Sequence, residues 1–190
     1  MLIEILPYAA RWPAEFQQIG RNLRTIVGAA ALRIDHIGST SVPGLAAKDI
    51  IDVQITVATL DPAVAAKLAD HGYPRVEHIN GDHRPPTDNS PDHEWSKWIF
   101  KPPTDQRLTN IHMRIAGHAN QRYALLFRDY LRTHPMAAAA YAQVKVALAQ
   151  RDNMDKDFYY DVKDPVCDII MAGAEEWVAR TGWTLGPSDA

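Results

Sequence analysis

The stretch at 36–52, HIGSTSVPGLAAKDIID, gathers a Gly-Ser pair, three consecutive hydroxyl side chains, a lysine and two acids into one short span. A backbone at Gly38-Ser39 can turn its N–H groups toward an anion with no Cβ in the way. Ser39, Thr40 and Ser41 add hydroxyl donors, and Lys48 adds positive charge. Asp52 could hold a divalent cation that bridges phosphate oxygens. An ordinary polar turn has the same composition, so the neighbouring strands carry the weight. In DIIDVQITV, Ile51, Val53 and Ile55 point one way while Asp52, Gln54 and Thr56 point the other. TNIHMRI repeats this pattern, with Asn110, His112 and Arg114 opposite Ile111, Met113 and Ile115. A solvent-facing strand favours Lys, Glu and Thr. Asp, Gln, Asn, His and Arg instead bind metals, phosphates or bases. The alternation predicts that Asp52, Gln54, His112 and Arg114 line one cleft with Gly38–Ser41 at its rim.

A second chemistry fits the same residues. His36, Asp52 and His112 could form a His/carboxylate set for a transition metal, since imidazole suits Zn, Fe or Ni better than Mg2+. Basic residues gather around the predicted cleft: Lys97, Lys101, Arg107 and Arg114, then Arg128 and Arg132, four apart on one helix face. As a group they suit an anionic ligand. Residues 78–94 are polar and proline-rich, long enough for a functional loop or lid. Glu94 is its best-placed base, although plain loop polarity explains its Asp and His residues better. Cys167, among Val166, Ile169 and Ile170, reads as core. Trp95, Trp98 and Trp177 read as core or cleft wall, with Trp95 able to stack on a base.

These side chains need elements to hold them. Phe16, Ile19, Leu23, Ile26 and Val27 fall at helical spacing after Pro13, and Gly28 ends that run. Strands are predicted at LRIDHI, DIIDVQITV, WSKWIFK and TNIHMRI. Asp61-Pro62 opens a second helix that stops at Gly72. Helices then fill the C-terminal third, from about 121 to 133, 135 to 150, and 165 to 180, with Gly182 stopping the last.

The whole chain, 1–190, reads as one domain of 190 residues with 46% apolar residues, enough for one core. A net charge of −3 argues against a dedicated nucleic-acid binder, which usually shows its basic patch in the total. The single cysteine allows no internal disulfide and suggests a reducing compartment. No signal peptide or membrane span is visible, so a soluble, cytoplasmic protein is expected.

HIGSTSVPGLAAKDIIDVQITV, RLTNIHMRIAG, LLFRDYLRTHP and YAQVKVALAQ together resemble the GrpB family of bacterial proteins, from Ile3 to about Trp177. The resemblance implies an α+β fold of nucleotidyltransferase type, a mixed sheet flanked by helices with a helical C-terminal third. Some members are fused to dephospho-CoA kinase, which keeps nucleotide- and CoA-type ligands in view. In the wider superfamily the Gly-Ser turn binds triphosphate, two acids one residue apart hold Mg2+, and a third acid sits on a later strand. Here Gly38, Ser39 and Asp52 match. The second acid position is Gln54, and the later strand offers His112 and Arg114, so the resemblance implies that Asp52, Gln54 and His112 are the catalytic positions. Lys145, Tyr160 and Lys163 also match family positions. Three functions are implied: a nucleotidyltransferase using a nucleoside triphosphate and a divalent metal; an altered ligase, hydrolase or transferase on a small anionic metabolite, including a carboxylate; or a non-catalytic nucleotide- or CoA-binding module.

Overall fold

The computed structural model describes residues 3–151 and 155–190. Helix α1 (Trp12–Val27) is followed by strand β1 (Ala31–Ile37), strand β2 (Ile51–Val57) and helix α2 (Pro62–Asp70). Strands β3 (Trp98–Phe100) and β4 (Thr109–Ile115) come next, then helices α3 (Ala119–Thr133), α4 (Pro135–Ala149) and α5 (Lys156–Thr181). The sheet order is β1-β2-β4-β3. β2 and β4 run parallel, and the two outer strands are antiparallel to their neighbours. This is the expected α+β architecture.

The register settles which side chains share a face. Asp52 lies opposite Asn110, Gln54 opposite His112 and Thr56 opposite Arg114. The alternating apolar residues, Val53, Ile55, Ile111 and Met113, fall on the other face and join Trp12, Phe16 and Leu23 of α1 and Leu68 of α2. Each of these eight is 2% exposed or less, so this face is the main core. Asp61 caps α2 by accepting from the Ala63 N–H, as Asp-Pro predicts.

The polar face does not meet solvent along its length. Toward the C-terminal ends of β2 and β4 it is covered by α3: Gln54 donates to the Gln121 carbonyl at 3.2 Å, and Gln54 and Thr56 are fully buried. A segment near residue 188 also runs along β1, where the Ser188 hydroxyl donates to the Ile34 carbonyl and accepts from the Ile34 N–H. From Asp52 and Asn110 along β4 to His112 and Arg114 the polar face borders a cleft.

Two boundaries differ from the sequence reading. The proline rule predicts that Pro165 starts the last helix, but α5 begins at Lys156, capped by Asp155, and carries Pro165 inside it. The Asp155 carboxylate accepts from the Phe158 N–H, so the N-terminal stop signal lies ten residues upstream of the proline. The helix ends at Gly182 in the left-handed conformation, as expected. Of WSKWIFK, only Trp98–Phe100 pairs as strand; Trp95 ends a short turn over Asp92–Trp95.

Candidate functional site

The cleft is a cavity of about 490 Å3 between the polar sheet face and the helical C-terminal third. The Gly38–Ser41 turn forms its rim. Gly38 has φ 69° and ψ −174°, a conformation reserved for glycine. A Cβ there would also collide with the Asp52 carboxylate. The turn and the acid are thus packed together and require glycine on two counts. Ser41 closes the turn by donating to the Gly38 carbonyl at 2.6 Å, so it shapes the rim rather than facing the cavity.

Asp52 accepts from Asn110 Nδ2 at 2.7 Å, and its Oδ1 lies 3.6 Å from His112 Nε2. Burial alone would raise its pKa; the His112 imidazole, the Asn110 amide and Lys48 outweigh that and hold it below the usual carboxylate range. Burial lowers the His112 pKa to about 4, so the ring is neutral at pH 7. Arg114 donates to its Nδ1 at 3.3 Å, which leaves the ring proton on Nε2, toward Asp52.

Asp82 enters from the 78–94 loop. Arg114 grips it with two donors at 2.8 and 2.9 Å, and Lys97 donates at 2.5 Å. Burial opposes its charge, but Arg114 and Lys97 hold its carboxyl far below the ordinary range.

The opposite wall is cationic. Lys48 donates to the Tyr160 hydroxyl at 2.9 Å. Lys145, from α4, donates to Ser39 Oγ at 2.8 Å and to the Ala46 carbonyl at 2.5 Å. Lys163, from α5, donates to Asp164 at 2.5 Å. Burial lowers the Lys145 pKa to about 7, and the charges of Lys163 and Lys48 add to the effect. The lining carries the cations Lys48, Lys97, Arg114, Lys145 and Lys163 against the carboxylates Asp52, Asp82 and Asp164, so the cavity is net positive.

Several expected site residues lie elsewhere. Gln54 faces the cleft side of the sheet but is sealed beneath it, where its Oε1 accepts from Arg114 at 2.5 Å. It cannot touch a ligand and serves to position Arg114. His36 lies opposite Val53, on the core face, where it stacks on Phe16 with ring centroids 4.7 Å apart. Arg107 ties α1 to the β2 approach through Glu15 and Asp49. Arg128 is buried against Asp129, Asp189 and the His36 carbonyl, and Arg132 donates to the Ser41 carbonyl. Both hold the rim from behind. Glu94, expected as a possible base, caps α3 by accepting from the Ala119 N–H at 2.8 Å. Gly38, Ser39, Thr40, Lys48, Lys97, Asp52, His112 and Arg114 do line the cavity.

The donor set does not fit the paired-acid cation centre that the resemblance implies. The second acid position is an amide pointing at Arg114, and His112 presents a proton toward Asp52. The sheet separates His36 from Asp52 and His112, so the expected transition-metal triplet does not come together. Among the described residues no cluster of three His, Cys, Asp or Glu side chains could hold a metal. Sequence reasoning gives Asp82 to loop polarity and misses Asn110 as the partner of Asp52. One signal for Lys145 is present: it is the only charged residue in the apolar helix PMAAAAYAQVKVALA, four residues after Tyr141.

A Gly-Ser turn packed on an acid-bearing strand, in a mixed sheet of this order, defines a nucleotidyltransferase-like fold. The solved structure of the Cid1 poly(U) polymerase shares that fold, with a TM-score of 0.50 at 14% identity over 80% of this chain and 46% of that one. The chain belongs to the GrpB family, matching the GrpB protein family over residues 2–172. The crystal structure of the conserved protein GrpB from Enterococcus faecalis gives a TM-score of 0.70 at 27% identity, covering 92% of this chain and 99% of that chain. A dephospho-CoA kinase of Mycolicibacterium paratuberculosis is 40% identical over 95% of this chain, which spans 48% of that protein's length. A UPF0157 protein of Halalkalibacterium halodurans is 34% identical over 90% of this chain and 82% of its own. The chain therefore spans about half the length of the kinases it resembles.

Proposed function

We propose that the cleft binds a phosphate-bearing small molecule of nucleotide or CoA type, with group transfer as its activity. One observation carries this reading: the Gly38-Ser39 turn, Lys48, Lys145 and Lys163 converge on one cavity that also holds the ionised Asp52. The lysines and Ser39 would hold phosphate oxygens. Among the described residues Lys145 bonds Ser39 and the Ala46 carbonyl rather than a carboxylate, and its pKa is lowered, so a bound anion would supply charge to it. Asp52, steadied by Asn110 and His112, would orient an acceptor hydroxyl beside those phosphates. A divalent cation would reach the site only on the ligand's phosphates with Asp52 as its protein anchor, since Gln54 supplies no second carboxylate. The same substitution favours a second reading, a binding module without transfer.

Melting curves with tripolyphosphate, ATP and CoA, each at low and high salt, test the proposal. Each ligand should raise the melting temperature, and less so at high salt. Lys48→Met and Lys145→Met should each weaken tripolyphosphate about tenfold, the scale of one lost charged hydrogen bond. No response to any of the three at millimolar concentration would overturn it. Transfer is tested separately, by release of labelled pyrophosphate from a nucleoside triphosphate.

A further inference from the structure

Helix α3 turns one stripe toward the cavity. Asn120, Tyr123, Ala124 and Phe127 fall at helical spacing and all line it. Asn120, at the head of the stripe, is 1% exposed. Its amide nitrogen donates to Asp82 Oδ2 at 3.0 Å and to the Ser96 carbonyl at 2.9 Å. Both partners are acceptors, Asp82 being ionised between Arg114 and Lys97, so the amide cannot be turned the other way round. Asn120 Oδ1 is left buried without a partner among the described residues. A buried acceptor in that condition costs free energy until a donor reaches it.

The rest of the stripe is aromatic. Tyr123 and Phe127 lie nearly parallel, 5° apart, with centroids at 6.3 Å, and Trp95 meets Tyr123 edge-on at 5.8 Å. Tyr141 meets Phe127 edge-on at 5.6 Å, and the Lys145 ammonium sits 4.4 Å from the Tyr141 ring centre. Ring contacts therefore run unbroken from the lysine end of the cavity to the Trp95 and Asn120 end. A ligand with phosphates on the lysines can lay its remaining body along this wall. Aromatic walls favour a flat ring system. A single buried acceptor favours one whose edge carries an N–H donor and rejects one that presents a carbonyl or a bare C–H there.

We propose that this wall is a nucleobase subsite in which Asn120 Oδ1 accepts from the exocyclic amine of an amino-bearing base, adenine or cytosine. The inference rests on the phosphate-binding reading and adds the ligand's other half. The test is calorimetry on the full chain with three probes: ATP, purine riboside 5′-triphosphate (the same molecule with hydrogen in place of the amine) and tripolyphosphate. ATP should bind about tenfold tighter than the deaminated analogue, the scale of one hydrogen bond made to an otherwise unpaired buried group. The analogue should bind tighter than tripolyphosphate. Asn120→Ala should erase the preference for ATP. Because that change also removes one donor from Asp82, Phe127→Leu is the second variant: ATP should weaken toward tripolyphosphate while tripolyphosphate itself is unchanged. Equal affinity for ATP and its deaminated analogue would overturn the role of Asn120. Equal affinity for ATP and tripolyphosphate would overturn the base subsite and leave the phosphate site standing. Silence from all three would overturn both.

Discussion

Gly38 is the residue where backbone and chemistry meet. Its dihedral angles exclude other residues and its Cα abuts the Asp52 carboxylate. Gly38→Ala should cost about 2 kcal/mol from the dihedral strain alone, and it should displace Asp52 as well, seen as a lower melting temperature together with lost anion binding. Gln54 makes a sharper case. As a surviving metal position, Gln54→Asp should give a protein that Mg2+ stabilises more than the parent. The structure predicts otherwise. The new carboxylate would face Arg114 beneath the cleft, and the Gln121 carbonyl would lose its donor. The variant should be less stable by about 1–3 kcal/mol, the scale of a buried group left unpaired, with no gain in Mg2+ response. A Mg2+-dependent melting shift in the variant alone would reopen the position to a cation. Lys145 sets a pH dependence. Its folded pKa of about 7 lies below its ordinary 10.5, so between these values the unfolded chain binds more protons. Stability should therefore rise with pH from about 7 toward 10.5 through this residue, and Lys145→Met should lose that rise. Anion affinity should move the opposite way, weakening above pH 7 as the ammonium deprotonates. Lys48, Lys163, Cys167 and Asp52 act on the same group, so the comparison with Lys145→Met isolates it.

At the scale of elements, the strands are the most legible part of the chain. Period-two alternation in IDVQITV and NIHMRI forecasts the shared polar face, and the parallel register bears it out. What alternation cannot say is how much of that face a later helix covers. Gln54 and Asp52 look equivalent in sequence, yet α3 buries one and leaves the other open. His36 is misplaced for a related reason. One strand position separates it from Ile37, which does line the cavity, and a one-residue step in a strand reverses the face. The 78–94 loop reads as solvated polarity because its partners are remote in sequence. Asp82 reaches Lys97 and Arg114, and His83 reaches Asp168 of α5 at 2.9 Å. His83 thus fastens the loop to the helical side of the cleft. His83→Ala should leave the fold intact, since that side chain is 39% exposed, and should speed proteolysis and amide exchange within 78–94. Unchanged exchange there would mean that Asp82 and Glu94 hold the loop without His83.

For the molecule as a whole, two buried neutral histidines flank the sheet, one on each face. Burial lowers His36 to about 3 and His112 to about 4, both below the ordinary 6.5. As pH falls from 6.5 toward those values the unfolded chain takes up protons that the folded one refuses. Stability should therefore decline across that window, and above about pH 5 the decline belongs to the histidines, because the carboxylates add their own loss only below it. A double His36→Gln, His112→Gln variant should flatten the decline in urea midpoints between pH 6.5 and 4. Family and fold were legible outright, through the resemblance that the Gly-Ser run and the Phe-Arg-Asp-Tyr-Leu-Arg run carry. The site was half legible, because its second wall comes from α3, α4 and α5, whose inward residues look like ordinary helix surface until they are folded against the sheet. That split has a cellular consequence. The cavity's walls come from two stretches of chain, the sheet region through Arg114 and the helices from Asn120 onward, so an occupant bridges them as a removable rivet. Binding only the assembled form shifts the population away from opened molecules that proteases cut. The steady-state abundance of this protein should then follow the supply of its ligand, falling when the ligand is scarce even at constant synthesis.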